Sequence, residues 1–495
     1  MIMEKKGKRK PERQDHKPFL YQSRSQDKDT ICALATPPGQ GALALIRLSG
    51  DKAFAISKKC CPFLPKTPCS HRIYFGTFLH PKKKDTLDEV LVFCFKKGRS
   101  FTGEESVEIS CHGGTYLSSL IIEALIKAGA RLAERGEFSY RAFMNGNLDL
   151  VQAESVLNLI QSRSPRAHTQ AIRGLKGGVS NHLKKLKEKL TKLLAHLEAS
   201  IDFSDQEIKP FSEEQQKKLL EEIRKEVKEA LAGFHQGRID REGFSILLLG
   251  ATNAGKSSLF NYLLREDRAI VTQHPGTTRD ILSARVLLNQ REFCLKDTAG
   301  FRKNPDPVES QGIKRTLKEA THSDLCLFLV ESTRPLREKN FFGLEKLDPK
   351  KTMVVFSKSD QIPSSHRSVF FKQVIKFFHK KQALSLFLSP AEKNKQILWV
   401  SSRTGEGQEA LKKLFYKKSE KETGEIFLST PRQKQAMEQM SCFLDKAKKL
   451  LNKKSSPEFI TFELQQAISV LYQLLGKEYN EEVIKQVFKE FCIGK

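Results

Sequence analysis

No run of about 18 apolar residues occurs in this chain, so no segment is long enough to cross a membrane as a helix. Its 10 cysteines never fall in Cys-x-x-Cys pairs, which argues against both a zinc site and a disulfide framework. Scattered thiols of this kind fit a reducing cytoplasm, and a cytoplasmic location is the expectation. Acidic residues are in deficit: 58 stand against 85 Lys and Arg, for a formal charge of +27. That excess favours encounter with a polyanion, nucleic acid first, although many of the lysines also suit plain solvated helix positions. Residues 1–28 are Lys-rich and nearly free of aliphatic side chains, so they read as a basic disordered arm. The arm lacks the apolar core of a secretory signal, and Glu4, Glu12, Asp15 and Asp27 break the acid-poor pattern of a transit peptide. It serves either as a passive tail or as a source of nonspecific RNA affinity.

The last six residues, "EFCIGK", set Cys492 in the slot of a prenylated Cys-a-a-X box. Gly494 is a poor aliphatic position and Lys495 is not a usual terminal residue, so the lipid-anchor reading is weak. A buried structural thiol and a piece of an active site remain as the alternatives.

The length suits roughly three domains of ~100–200 residues. "TICALATPPGQGALALIRLSG" reads as strand, Pro-Pro-Gly turn, strand; "RIYFGTFLH" and "EVLVFCFKKG" continue as strands and "YLSSLIIEALIKAGA" as a helix. This predicts an α+β domain over 29–147. Next, Leu183, Leu186, Leu190, Leu193 and Leu197 recur at alternating spacings of three and four, the seam of a bundle helix. Leu464, Ile468, Leu471 and Leu475 form a second stripe, Gly476 stops it, and Asn480 caps a last helix. Val483, Ile484, Val487, Phe488 and Phe491 give that helix a core-facing stripe. Between the helical stretches "FSILLLG", "CLKDTAG", "LCLFLVE" and "TMVVFSK" read as buried parallel strands. The predicted architecture is multidomain α/β. A helical domain is split between 148–240 and 419–495, and this α/β domain is inserted at 241–418.

"GATNAGKS" (Gly250–Ser257) follows a strand, precedes a helix and matches G-x-x-x-x-G-K-[ST]. Backbone N–H groups of such a loop curl around phosphates, Lys256 reaches the β- and γ-phosphates, and Ser257 ligates Mg²⁺. In "GTTRD" Thr278 is the switch threonine that completes the Mg²⁺ shell. "DTAG" ends a strand, with Asp297 aimed at Mg²⁺ through water and Gly300 near the γ-phosphate. In "SKSD" Asp360 accepts from guanine and Lys358 covers the base, while Ser357 replaces the usual Asn and removes an amide. "SSRTGEG" supplies the last base loop. The nucleotide contacts expected from these stretches are Asn253, Ala254, Gly255, Lys256, Ser257 and Ser258 in the P-loop. Thr272, Gln273, His274, Pro275, Gly276, Thr277 and Thr278 follow, then Asp297, Thr298, Ala299 and Gly300. Ser357, Lys358, Asp360, Ser401, Ser402 and Arg403 complete the base end. Guanine is favoured over adenine, and the inserted domain at 241–418 reads as a Ras-like P-loop GTPase domain.

After DTAG stand Phe301 and Arg302, not the Gln that orients water in Ras-like enzymes. Glu309 in "PDPVESQG" is the candidate replacement, with a solvated loop acid as the plain alternative. No arginine finger is evident; a monovalent cation held by Asn253 would supply that charge.

"DTICALATPPGQGALALIRLSG", "FTGEESVEISCHGG", "RGEFSYRAFMNGNLDLVQAES", the GTPase series and "FCIGK" together resemble the MnmE (TrmE) family of tRNA-modification GTPases, across residues ~29–495. The resemblance implies wobble-uridine modification. With the FAD-containing protein MnmG, in a heterotetramer, such proteins add an aminomethyl or carboxymethylaminomethyl group at uridine C5. It further implies a homodimer through the N-terminal domains and a one-carbon unit from 5-formyltetrahydrofolate or a related tetrahydrofolate. By position, Arg47, Glu108, Asn147 and Lys495 would be the folate contacts. Asn253, Thr272, His274 and Thr277 would hold K⁺, Glu309 would orient water, and Cys492 would act in the modification. Asn147 departs from the basic residue that some relatives carry. A ribosome-assembly GTPase and a pure signalling switch are the rival readings, and neither needs the terminal Cys-Ile-Gly-Lys.

Overall fold

The computed structural model describes residues 29–202, 211–266, 269–270, 281–298, 307–333, 335, 337–380, 397–420, 428–478 and 481–495. The basic arm lies outside the described residues, as does Asn480. The chain groups into two units, Met1–Glu154 with Tyr472–Lys495, and Ser155–Leu471. The last stretch of the split helical region, from Tyr472, thus joins the N-terminal unit.

In that first unit six strands form one sheet: β1 Ile31–Leu34, β2 Leu43–Ser49, β3 Arg72–Leu79, β4 Thr86–Phe95, β5 Ser106–His112 and β6 Arg131–Leu132. Their order is β3-β4-β5-β2-β1-β6. β1 and β2 pair antiparallel across the Pro-Pro-Gly turn. Strand alternation sends Ile46, Leu48, Val90, Val92, Val107 and Ile109 to one face, where they are buried with helices Ala53–Cys60 and Thr115–Ala128. The opposite face keeps apolar side chains in the open: Leu43, Ile73, Phe75 and Leu91 are exposed. Phe75 stands opposite Leu91, Leu91 opposite Ser110, and Ser110 opposite Leu45, so one row crosses four strands.

The helix Pro457–Leu475 stops before Gly476, whose φ of +75° is the left-handed turn expected there. The last helix, Glu481–Lys489, buries Ile484 and Phe488, and Phe491 is buried just beyond it. Val483 does not share that stripe and is 39% exposed. It sits one residue from Ile484, about 100° around the helix, and a short helix packed on one side buries only one stripe.

In the second unit, helices Pro165–Leu175, Gly178–Asp202, Glu213–Glu242 and Pro431–Asn452 form the helical part. All five seam leucines of Gly178–Asp202 are buried to 3% exposure or less, which makes this a bundle helix. Ser212 and Gln215 close a capping box on Glu213–Glu242, satisfying N–H groups that would otherwise be orphaned.

The second sheet holds β7 Phe244–Gly250, β8 Ala269–Ile270, β9 Ile281–Leu288, β10 Arg291–Thr298, β11 Leu325–Glu331, β12 Thr352–Ser357 and β13 Ile397–Trp399. Its order is β13-β12-β11-β7-β10-β9-β8. The four expected strands, β7, β10, β11 and β12, are parallel, and β13 joins them. β9 runs antiparallel to β10 and β8 antiparallel to β9, so β9 opposes the common direction; neither strand is among the four expected. The cause is local: Asn289 and Gln290, with φ of 41° and 66°, make a tight turn that can only return the chain antiparallel. The Phe- and Lys-rich segment 370–396, for which the sequence suggests no more than an extra amphipathic helix, begins inside helix Ser364–Lys380, and its residues 381–396 lie outside the described residues. Phe370 packs on Phe356 and Trp399, and Phe378 on Phe341, so this helix is part of the sheet's ordinary cover.

Candidate functional site

β7 ends at Gly250, whose φ is +137° and whose absent Cβ would lie 2.3 Å from the Leu329 carbonyl oxygen on β11. No other residue fits that close strand approach, and it fixes where the P-loop begins. Asn253 takes φ +65° in the loop and is exposed. Ala254 is buried, Gly255 lies at φ +88°, and helix Lys256–Glu266 starts at once. Lys256 is buried, and its Nζ donates to the carbonyls of Gly250 at 3.2 Å and Ala251 at 2.9 Å. Burial pushes its ammonium below the ordinary lysine value, and the Asp297 carboxylate opposes that shift. Ser257 Oγ donates to Asp297 Oδ2 at 2.8 Å, while Ser258 is exposed in the first helical turn.

Asp297 is buried, and its Oδ1 has no hydrogen-bond partner among the described residues. An orphaned carboxylate oxygen beside a P-loop hydroxyl suits a hard, oxygen-seeking cation, so the donor set fits Mg²⁺ or its water shell. Thr298 secures the strand end by donating from Oγ1 to the Leu248 carbonyl at 2.8 Å.

The base end is more tightly tied than the motif suggests. Ser357 Oγ donates to the Ala254 carbonyl at 2.7 Å, which links β12 to the P-loop. The Ser that removes an amide therefore keeps the cross-link between the two loops. Lys358, at φ +60°, pairs with Glu331 Oε1 at 2.5 Å. Asp360 accepts from Ser401 Oγ at 2.6 Å on Oδ1, and Arg403 Nε lies 3.1 Å from Oδ2. Ser402 stands between these two in the same loop. No motif singles out Glu406, yet it accepts from Ser359 Oγ at 2.7 Å and pairs with Arg367, which holds its carboxyl below the ordinary value. Glu406 and Arg367 join the two base loops. The acidic residue within "TGEG" is the available signal.

Several expected nucleotide residues lie outside the described residues: Thr272, Gln273, His274, Pro275, Gly276, Thr277, Thr278, Ala299 and Gly300. Glu309 falls in the first turn of helix Pro307–His322, and its side chain is also outside the described set.

In the first unit the chain end returns to the sheet. Arg47 on β2 pairs with Glu108 on β5, Nε to Oε1 at 2.8 Å and Nη2 to Oε1 at 2.7 Å, as their cross-strand register dictates. The same guanidinium lies 5.8 Å from the Phe101 ring centre and 5.7 Å from that of Phe138. Its Nη1 donates to the Gly494 carbonyl at 3.4 Å. Lys495 stands close enough that burial and the Arg47 charge push its ammonium down, with Glu108 and Cys492 opposing. Asn147 Nδ2 donates to the Phe101 carbonyl at 3.0 Å and so props the loop that carries this aromatic ring. Arg47, Glu108, Asn147 and Lys495 are thus gathered around one aromatic-lined spot.

Cys492 is exposed, which removes the buried-thiol alternative. Its backbone holds the tail in place: the Cys492 carbonyl accepts from Gly136 N at 3.4 Å and from Lys495 N at 3.3 Å. Gly494 lies at φ +90°, and a Cβ there would sit 2.4 Å from the Leu34 carbonyl oxygen. Gly494→Ala is expected to undock the last residues while the domain stays folded. The check is limited proteolysis, where the variant should lose its C-terminal residues much faster than wild type; equal rates would show that the tail tolerates the methyl group.

The comparisons agree along the chain. A family model described as "GTP-binding protein TrmE N-terminus" matches residues 30–147, and one described as "MnmE helical domain" matches 150–492. A protein of Bdellovibrio bacteriovorus named tRNA modification GTPase MnmE is 39% identical over 476 residues, covering 95% of this chain and 98% of its own. A Thermus thermophilus protein of the same name is 36% identical over 471 residues, covering 94% and 99%. One of Thermotoga petrophila is 35% identical over 478 residues, covering 94% and 100%. With both family models and near full-length likeness in hand, the chain belongs to the MnmE family of tRNA-modification GTPases.

Proposed function

We propose that this protein is a K⁺-dependent GTPase that modifies C5 of the wobble uridine of tRNA together with an FAD-containing MnmG-like protein, drawing its one-carbon unit from a tetrahydrofolate. The observation that carries this reading is the docked tail. Gly494 meets Arg47, Lys495 stands beside the Arg47–Glu108 pair, and Cys492 holds the Lys495 amide, in a chain that also holds a complete P-loop. A nucleotide switch alone needs no such second site.

At the nucleotide, Lys256 neutralises phosphate charge and the P-loop amides orient it. Ser257 and Asp297 would hold Mg²⁺, which supplies charge neutralisation at the transferring phosphoryl group when bound. Asp360, backed by Ser401, selects guanine. Asn253, with Thr272, His274 and Thr277, would hold K⁺; Thr278 would complete the Mg²⁺ shell and Glu309 would orient the attacking water. At the second site the cations Arg47 and Lys495 suit the glutamate carboxylates of a folate, and Phe101 offers a flat apolar wall. Glu108 orients Arg47 by accepting two of its N–H groups.

The exposed row of Ile73, Phe75 and Leu91 beside Leu43 supports a homodimer through the N-terminal sheet, since so much apolar surface on one sheet face favours a partner. The net charge of +27 supports tRNA as the substrate. All 10 cysteines are free, which supports the cytoplasm as its location.

Reconstitution with the FAD partner, tRNA, GTP and a tetrahydrofolate, run in KCl and in NaCl, tests the reading. GTP turnover should be much faster in K⁺, Asn253→Ala should erase the difference, and C5-modified uridine should form in KCl. Equal turnover in both salts would remove K⁺ from the account; no modified uridine in KCl would remove the function.

A further inference from the structure

At the end of the first sheet, where β2 leaves Ser49, β4 leaves Phe95 and β5 begins at Ser106, lies a cavity of about 730 Å³. Lys58, Lys66, Lys96 and Lys97 line it, with Thr67, Asp51 and Glu105 among the other polar groups. The lysines come from three separate stretches: helix Ala53–Cys60, the loop after it, and the exit of β4. Lys97 stands 3.9 Å from Asp51. Lys58, Lys66 and Lys96 have no ion pair among the described residues, and Lys58 is half-buried. Burial and the neighbouring Asp51 push the Glu105 carboxyl up while Lys97 and Lys96 oppose, and four ammonium groups still face only two carboxylates.

Convergence of ammonium groups in excess of the acids beside them suits phosphate oxygens. Ammonium groups bind the backbone without reading bases, whereas a bidentate guanidinium would impose geometry. The cavity lies on the helix side of the sheet's end, whereas Arg47 and Glu108 project from the opposite face, so it stands apart from that pair. The net charge of +27 and membership of a family of tRNA-modification GTPases favour an RNA backbone over a free anion. We propose that this lysine-lined cavity seats backbone phosphates of the tRNA; the proposal rests on the tRNA reading above.

The test titrates fluorescent tRNA with the full-length protein at several KCl concentrations. Lys58→Gln/Lys66→Gln/Lys96→Gln is compared with Lys82→Gln/Lys83→Gln/Lys127→Gln, which removes equal charge from exposed lysines elsewhere on the same domain. Thermal melting verifies that both variants stay folded. The cavity variant should bind about 10-fold more weakly or worse, with a salt slope shallower by about 2, since each of the three phosphate contacts contributes roughly 0.7 on a single-stranded backbone. The control variant should shift much less. Unchanged binding by the cavity variant, or equal loss in both variants, overturns the proposal while leaving the modification function intact. If the wild type itself does not bind tRNA, both fail.

Discussion

Cys492→Ser is expected to abolish, or cut sharply, the modified wobble uridine while GTP turnover, folding and dimerisation persist. The separation follows from how the tail is held. Its contacts to Gly136 and Lys495 run through the Cys492 carbonyl, and Phe491 and Gly494 are the buried residues on either side. The exposed thiol carries none of that anchoring, so exchanging sulfur for oxygen alters its chemistry alone. Nucleoside mass spectrometry of tRNA from cells carrying the variant gives the answer. Wild-type levels of modification would leave Cys492 as a surface residue of a docked tail.

The second large effect concerns hydrolysis. Glu309→Ala should lower GTP turnover by about 10²-fold or more and leave GTP affinity nearly unchanged. The proposed ground-state contacts come from the P-loop, residues 272–278, residues 297–300 and the two base loops, none of which includes Glu309. Phe301 and Arg302 follow DTAG in place of a water-orienting Gln, so the chain needs another group for this step. Single-turnover rates beside equilibrium nucleotide binding separate the two quantities. A variant that turns over normally returns Glu309 to a solvated acid.

Different parts of this protein are legible in its sequence with different clarity. Strands of the nucleotide-binding sheet stand out because each is an apolar run too short for a helix, bounded by motif glycines. The seam leucines stand out because a buried helix stripe has one period. What stays hidden depends on contacts between distant residues. The antiparallel edge of β9 hinges on left-handed Asn289 and Gln290, a pair that turn statistics flag less strongly than Asn-Gly. Ser357 reads as a loss because its motif position prescribes an amide. Its link to Ala254 emerges only when β12 and the P-loop are brought together. Glu406 and Arg367 are 39 positions apart, and Arg47 and Gly494 are 447 apart, so no local pattern announces either pair. Val483 reads as part of the last helix's stripe because apolar residues on adjacent positions cannot be assigned to faces by composition alone.

The account stands or falls on the tRNA of a strain that lacks this gene. Nucleoside mass spectrometry should show the C5-substituted wobble uridine gone and the unmodified or partly modified base in its place, with both restored by the wild-type gene. Wobble uridines unchanged from the parent strain would contradict the central claim.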